Sequence, residues 1–347
     1  MPRVRLSLVD IVLWGLRIAV VVGVVAGTWA TLSAGRLSGD QWRELFIFGV
    51  AQGSVYALIA LGYTLVYGVL LMINFAHGDV FMFGAMTAYF VADGLAGGGW
   101  INQNPIIGMA IVLLVSMVSS MLVAILLERI AYRPLRRAPR LVPLITAIGA
   151  SLFIANSARG LFGEQVRAYP RLEVLQGRWD ILGIPVLKTQ VVVIISAILL
   201  MVLLYWFVER TRTGRAMRAV SEDKDTAALM GIDVDRTIAT TFAVGGLLAG
   251  AAGILYAIVF QQVHWFMGFL PGIKAFTAAV LGGIGNIIGA MLGGLSLGVL
   301  ESVGPNLLLS GAGVPSPNQL RDVVAFSVLV LVLIFRPYGL LGRPESR

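Results

Sequence analysis

Gln52-Gly-Ser-Val-Tyr-Ala-Leu-Ile-Ala-Leu-Gly-Tyr-Thr-Leu-Val-Tyr-Gly-Val-Leu-Leu-Met-Ile-Asn-Phe-Ala-His-Gly-Asp79 is an apolar stretch that stops abruptly at the polar knot Asn74-Phe-Ala-His-Gly-Asp79, after which the chain turns apolar again. A run of that length reads as membrane-spanning helix. Breaking it with polar groups is costly where no water can satisfy them, so the interruption marks a functional place.

The rest of the chain agrees about its solvent. With 58% hydrophobic and 13% charged residues and a mean hydropathy of +0.88, most of its surface faces lipid. It reads as an all-α polytopic membrane protein, a single integral domain with no polar block large enough for a soluble catalytic domain. The 41 glycines predict helices packed closely through small faces. A net charge of +8 points to nucleic acid in a soluble protein. Here the basic residues fall in a few loops between apolar spans, which sets membrane orientation and argues against nucleic acid as a partner. The absence of cysteine excludes disulfides and thiol chemistry. Only two histidines, His77 and His264, speak against a metal site.

Apolar runs fall at about 11–34, 44–73, 78–92 (short), 106–127, 141–162, 190–208, 237–260 and 319–335, against roughly 17 to 25 residues needed to span a bilayer. This predicts about eight full transmembrane helices, with the Gly-rich region 272–300 ambiguous. Two loops carry the positive charge: 128–140 with Arg129, Arg133, Arg136, Arg137 and Arg140, and 209–236 with Arg210, Arg212, Arg215, Arg218, Lys224 and Arg236. Both belong in the cytoplasm, whereas 93–105, 261–271 and 301–318, without lysine or arginine, belong outside. A cytoplasmic amino terminus (Arg3, Arg5) and carboxyl terminus (Arg336, Arg343, Arg347) satisfy these loops only if 272–300 enters and leaves on one side. The region is then a re-entrant or hairpin segment turning at Gly282-Gly-Ile-Gly-Asn286, where glycine permits backbone other residues resist.

His77-Gly-Asp-Val-Phe-Met-Phe-Gly-Ala-Met86 and Gly282-Gly-Ile-Gly-Asn-Ile-Ile-Gly-Ala-Met291 echo each other in glycine spacing and ending. Paired interrupted segments point to a transport path, although small-residue packing alone produces similar echoes. The basic, apolar start loosely imitates a signal peptide; Arg17 and the length of the run favour an additional, uncleaved span over residues 1–43.

In the loop 209–236, Ala216, Met217, Val220, Ala227, Ala228, Leu229 and Met230 alternate with charge at helical spacing, interrupted by Gly214 and ended by Gly231. Such a short helix with a small apolar face suits docking into a partner's groove. The plainer reading is a solvated basic loop that only fixes topology.

Three blocks, Gln52 to Ala85, Arg218 to Asp233, and Gly272 to Gly294, closely resemble the permeases of branched-chain amino acid ABC importers, of the LivH type, over roughly residues 44–340. The resemblance implies an ABC importer permease fold, with a permease domain 44–340, a cytoplasmic tail 341–347, and a place in a bacterial or archaeal cytoplasmic membrane. It implies three kinds of partner besides membrane lipid: a second permease of the LivM type or another copy of this chain, two ATP-binding subunits, and an extracytoplasmic substrate-binding protein. ATP and Mg would sit on the ATPase subunits, with no cofactor in this chain and no catalytic residue. That agrees with the absence of a Gly-x-x-x-x-Gly-Lys-Ser/Thr phosphate loop. In such importers a cytoplasmic helix of the Glu-Ala-Ala…Gly type docks into the ATPase. Asp225-Thr-Ala-Ala-Leu-Met-Gly231 stands in its place, and Arg218, Asp225, Ala228 and Gly231 are the implied coupling residues.

A path for zwitterions needs small polar and backbone groups, which Gln52, Ser54, Tyr56, Asn74 and Asn286 offer. His77 and Asp79 either contact solute or cap a helix start. Gly282, Gly283 and Gly285 either line the path or allow close packing. The solute is a branched-chain amino acid or a similar small zwitterion or amide. The competing reading is an ion-coupled secondary transporter built on broken helices and a buried Asp79.

Overall fold

The computed structural model describes residues 8–342 apart from 137, 140, 171, 182 and 337, with side chains from residue 12 onward. Arg3, Arg5, Arg137, Arg140, Arg343 and Arg347 of the charge pattern lie outside the described residues, as does most of the tail 341–347.

The chain folds into α1 (Leu8–Ala34), α2 (Gly39–Leu70), α3 (His77–Gly97), a short α4 (Trp100–Gln103), α5 (Pro105–Leu127), α6 (Leu141–Phe162), α7 (Lys188–Arg210), α8 (Arg212–Glu222), α9 (Lys224–Leu229), α10 (Val234–Phe260), α11 (Phe269–Gly282), α12 (Ile287–Leu309) and α13 (Arg321–Phe335). Among the described residues nine helices are long and apolar enough to cross a membrane, and α11 is a shorter apolar helix. Two boundaries move. α2 starts ahead of residue 44 because Ser38 and Gln41 close a capping box around its first turn. α3 has 21 residues and is a full span, not a short one.

α2 is the central column. At 32 residues it is about 48 Å long, and from Ala51 to Val66 it is buried all round. Its closest neighbour is α12, where Gly49, Gly53 and Ala57 meet Val299, Leu295 and Gly294 in reverse order. A Cβ on Gly294 or Gly298 would run into the α2 backbone, so small residues set the approach of these two helices. α10 packs against α5 in the same way: the Ser116 hydroxyl of α5 donates to Gly250 O of α10 at 2.6 Å. α1 meets the bundle near its end, where Gly27 meets Leu308 and Thr31 Oγ1 accepts from Gly311 N at 2.8 Å, and again where the Arg17 guanidinium lies over the Phe335 ring of α13 at 4.7 Å.

The antiparallel α2 and α12 resolve the ambiguous region. α12 starts beside the carboxyl end of α2 and runs back, while α11 comes from the loop after α10 and closes on α12, Gly282 lying against Gly289. Region 272–300 therefore enters and leaves at one end of the bundle, as the charges require, and its second arm is itself a span. Both basic loops meet at the other end. There a π-helical turn, Glu128–Tyr132, follows α5, and Arg136 pairs with the buried Glu128 and with Asp235 at the start of α10.

At the end carrying the loop 261–268, β1 (Arg167–Ala168) pairs with β4 (Gln262–Val263), and β2 (Arg178–Ile181) pairs with β3 (Ile184–Leu187). This segment between α6 and α7 brings Arg167, Arg178 and Lys188 to the face that the charge count assigns to the outside. Acidic neighbours accompany them, as in Arg178–Glu44 at 3.1 Å.

Candidate functional site

The interruption after α2 is a reversal. Leu71 takes the left-handed conformation, φ 57°, and the chain doubles back until His77 lies against Gly62, leaving no room for a Cβ there. Asn74 is buried, and its Oδ1 accepts from the Tyr132 hydroxyl at 2.7 Å. The His77 ring meets Tyr63 edge-on at 4.9 Å, and its Nε2 has no partner among the described residues. α3 begins at His77 with no side-chain cap. The cap position itself is Ala76, and Asp79 stands in the first turn of α3, where the helix dipole favours a carboxylate.

Asp79, 4% exposed, also faces a cavity of about 320 Å³ between the starts of α3 and α11 and the middle of α6. Tyr63, Phe75, Ile148, Ile273 and Phe269 make most of its wall apolar, and Ser151 supplies the hydroxyl across from Asp79. The two helix starts are in contact there: a Cβ on Gly78 would lie 2.5 Å from Gly268 O and 3.1 Å from Gly272 Cα.

Gln52 and Tyr56 belong to a second cluster. Gln52 Nε2 donates to Tyr56 Oη at 2.5 Å and to Glu301 Oε1 at 3.0 Å. Lys274 Nζ lies 2.6 Å from Glu301 Oε1 and 2.6 Å from Asp322 Oδ1. This charged knot ties α2, α11, α12 and α13 together. Lys274, Glu301 and Asp322 were missed in the sequence, although lone charges inside apolar stretches are themselves the signal. Ser54 turns its hydroxyl back on Val50 O at 2.7 Å and joins neither cluster.

Gly282, Gly283, Gly285 and Asn286 form a third place, the turn of the α11–α12 hairpin. Gly283 and Gly285 have φ of +103° and +92°. Asn286 caps α12 through Gly289 N at 2.9 Å and donates to Leu341 O at 2.9 Å. Leu340 N and Leu341 N donate to Leu281 O and Gly282 O. The turn is held by the chain beyond α13 and is apart from Asn74 and Asp79.

α8 and α9 form a helical elbow. Gly214 lies inside α8, not between helices, and its missing side chain lets that turn sit on the backbone of Phe207 and Val208. The break falls at Asp223, whose carboxylate accepts from the amides of Asp225 and Thr226 at 2.8 and 2.9 Å. Those hydrogen bonds hold its pKa below the usual carboxylate range. Met217, Val220 and Ala227 are buried against the bundle. Asp225, Ala228 and Gly231 are exposed, as are Leu229 and Met230 at 88% and 78%, while Arg218 pairs with Glu209 at 2.5 Å.

Residues 45–333 match the family described as branched-chain amino acid transport system, permease component. The high-affinity branched-chain amino acid transport system permease protein BraD of Pseudomonas aeruginosa is 43% identical over 88% of this chain and 97% of its own length. LivH of Escherichia coli K12, a permease protein of the same kind of system, is 41% identical over 86% and 94%. The probable LivH of Methanocaldococcus jannaschii is 27% identical over 87% and 94%. A loose structural likeness, with TM-score 0.44 and 13% identity over 89% of this chain and 96% of the other, links it to PsaBC from Streptococcus pneumoniae in complex with Fab.

Proposed function

The chain belongs to the family of branched-chain amino acid transport system permease components, and from that premise we propose how it works as the transmembrane permease subunit of an ATP-driven importer. The observation that carries the proposal is the elbow α8–α9. Leu229 and Met230 are apolar, exposed, and set beside the collar of Asp225 and Gly231 in the region where both basic loops meet. Exposed apolar side chains on a rigid, capped turn fit a partner's groove.

The basic end faces the cytoplasm in this reading, with both termini there. Two ATPase subunits hold the nucleotide and Mg²⁺ and receive α9. A second permease, a LivM-type chain or another copy, completes the path. An extracytoplasmic binding protein delivers the solute at the opposite end, where the hairpin β2–β3 and the Glu44–Arg178 pair lie exposed. ATP binding draws the ATPases together, the elbow transmits the movement through its buried residues Met217 and Val220, and the helices rearrange around the path. Branched-chain amino acids are the solute class, because they are transported by the systems of both bacterial relatives.

Recovery of the protein from its native membrane through a carboxyl-terminal tag tests the assembly. ATPase subunits and a second permease should come with it, and Leu229→Asp should release the ATPases while the permease pair holds. Uptake that is stopped by an uncoupler and untouched by vanadate would instead make the protein an ion-coupled carrier.

A further inference from the structure

We propose that the cavity between α3, α6 and α11 is the seat through which the permease recognises its zwitterionic solute. Asp79 takes the ammonium, the start of α11 takes the carboxylate, and the apolar wall takes the branched side chain. The proposal rests on the importer reading above and deepens it.

Three independent features meet in this one place. The first is room: about 320 Å³ lies at the small end of the roughly 300–1,000 Å³ of small-molecule sites. The second is a carboxylate that is 96% withdrawn from solvent, given its 4% exposure. Its polar neighbours in the cavity wall are the uncharged hydroxyls of Ser151 and Tyr63. An anion held in apolar surroundings without a cationic partner leaves a demand that an ammonium group meets. The third is a helix start with free donor capacity. α11 has no side-chain cap at Gly268, Pro271 brings no amide hydrogen, and the Leu270 amide has no acceptor among the described residues. The unpaired Leu270 amide and the helix dipole favour a carboxylate at this helix start. Gly268, Phe269 and Gly272 line the same cavity as Asp79, so one small zwitterion can reach both ends.

Chemistry of this kind sorts solutes. A zwitterion with an aliphatic side chain satisfies both charges and fills the wall formed by Phe75, Ile148 and Ile273, whereas a solute lacking the ammonium leaves Asp79 unpaired.

The test uses the complete complex in proteoliposomes with its binding protein and L-leucine as the probe. Asp79→Asn, which keeps the shape and removes the charge, is expected to lower ATP-driven L-leucine uptake about tenfold, the scale of one charge-assisted hydrogen bond. ATP hydrolysis stimulated by the loaded binding protein should continue, a readout that general damage to the fold would also move. Asp79→Glu should restore part of the uptake, and Ala155→Trp, which fills the cavity from α6, should block uptake with hydrolysis retained. Wild-type uptake in Asp79→Asn or in Ala155→Trp, when the unaltered complex imports L-leucine, overturns the seat and leaves the importer reading standing. An unaltered complex that hydrolyses ATP and imports no branched-chain solute overturns the importer reading itself.

Discussion

Lys274 makes the firmest residue-scale argument, because it is the single cation between two carboxylates, Glu301 and Asp322, each at 2.6 Å. Breaking a buried ion pair by removing one member strands the other, at a cost of about 3–5 kcal/mol. Lys274→Met strands the buried Glu301 and also removes the partner of the partly exposed Asp322. Glu301→Gln removes one carboxylate and leaves Lys274 paired with Asp322. The melting temperature of the detergent-purified protein should therefore fall much further in Lys274→Met than in Glu301→Gln, and equal losses would show that the knot is not held by charge. These residues also mark the limit of the sequence reading. Averaging hydropathy over a run hides a lone lysine or glutamate, and nothing short of the fold places Lys274, Glu301 and Asp322, which lie on three helices, around Gln52. Asn74 and Asp79 were legible because they break a run instead of hiding in one. The exact partner of Asn74, Tyr132, was not, since it comes from a π-helical turn far along the chain.

Among the elements, the α11–α12 turn and the α8–α9 elbow were both read from glycines, with different success. The turn fell where Gly283 and Gly285 predicted it, because both need positive φ. Their neighbourhoods differ: a Cβ on Gly283 would lie 2.5 Å from Gly342 N, while Gly285 has open space around it. Gly283→Ala should thus destabilise the protein and release the tail 338–342, measurable as faster amide exchange at Leu340 and Leu341. Gly285→Ala adds only backbone strain, of about 1–3 kcal/mol. Equal exchange in the two variants would deny the tail its role as a clamp. At the elbow the glycine signal misled, since Gly214 serves packing inside α8 and the true break is the cap at Asp223. That cap titrates. The folded pKa of Asp223 is depressed, so its contribution is present above the ordinary carboxylate pKa and fades as pH falls through the folded value. Asp223→Ala should weaken ATPase docking severalfold at neutral pH and abolish the additional loss that the unaltered protein shows on acidification below the ordinary carboxylate range. Acid sensitivity that persists unchanged in Asp223→Ala would assign the titration elsewhere.

Across the whole molecule, the outward faces of the bundle are unlike one another. α1 presents Trp14, Val21, Val22, Val25 and Trp29, a surface suited to lipid. α6 is as exposed and, like α1 at Gly15 and Gly23, carries open glycines, Gly149 and Gly160, yet its outer face adds the polar Asn156. It also borders the cavity that holds Asp79. A carboxylate whose cavity opened to hydrocarbon would be costly, whereas small and polar residues suit the close approach of another protein helix. The charge pattern could orient the spans and the glycines could place the hairpin. Which side meets the second permease was not legible, because an apolar residue facing lipid and one facing a neighbouring subunit look alike in sequence. The absence of cysteine makes this side directly testable with single introduced thiols. A benzophenone probe on Leu152→Cys, at the mouth of the cavity on α6, should capture the second permease in the assembled complex, while the same probe on Val22→Cys of α1 should capture lipid alone. Capture of the permease from α1, or of lipid alone from α6, would move the seam to another face and leave the Asp79 cavity opening toward the bilayer.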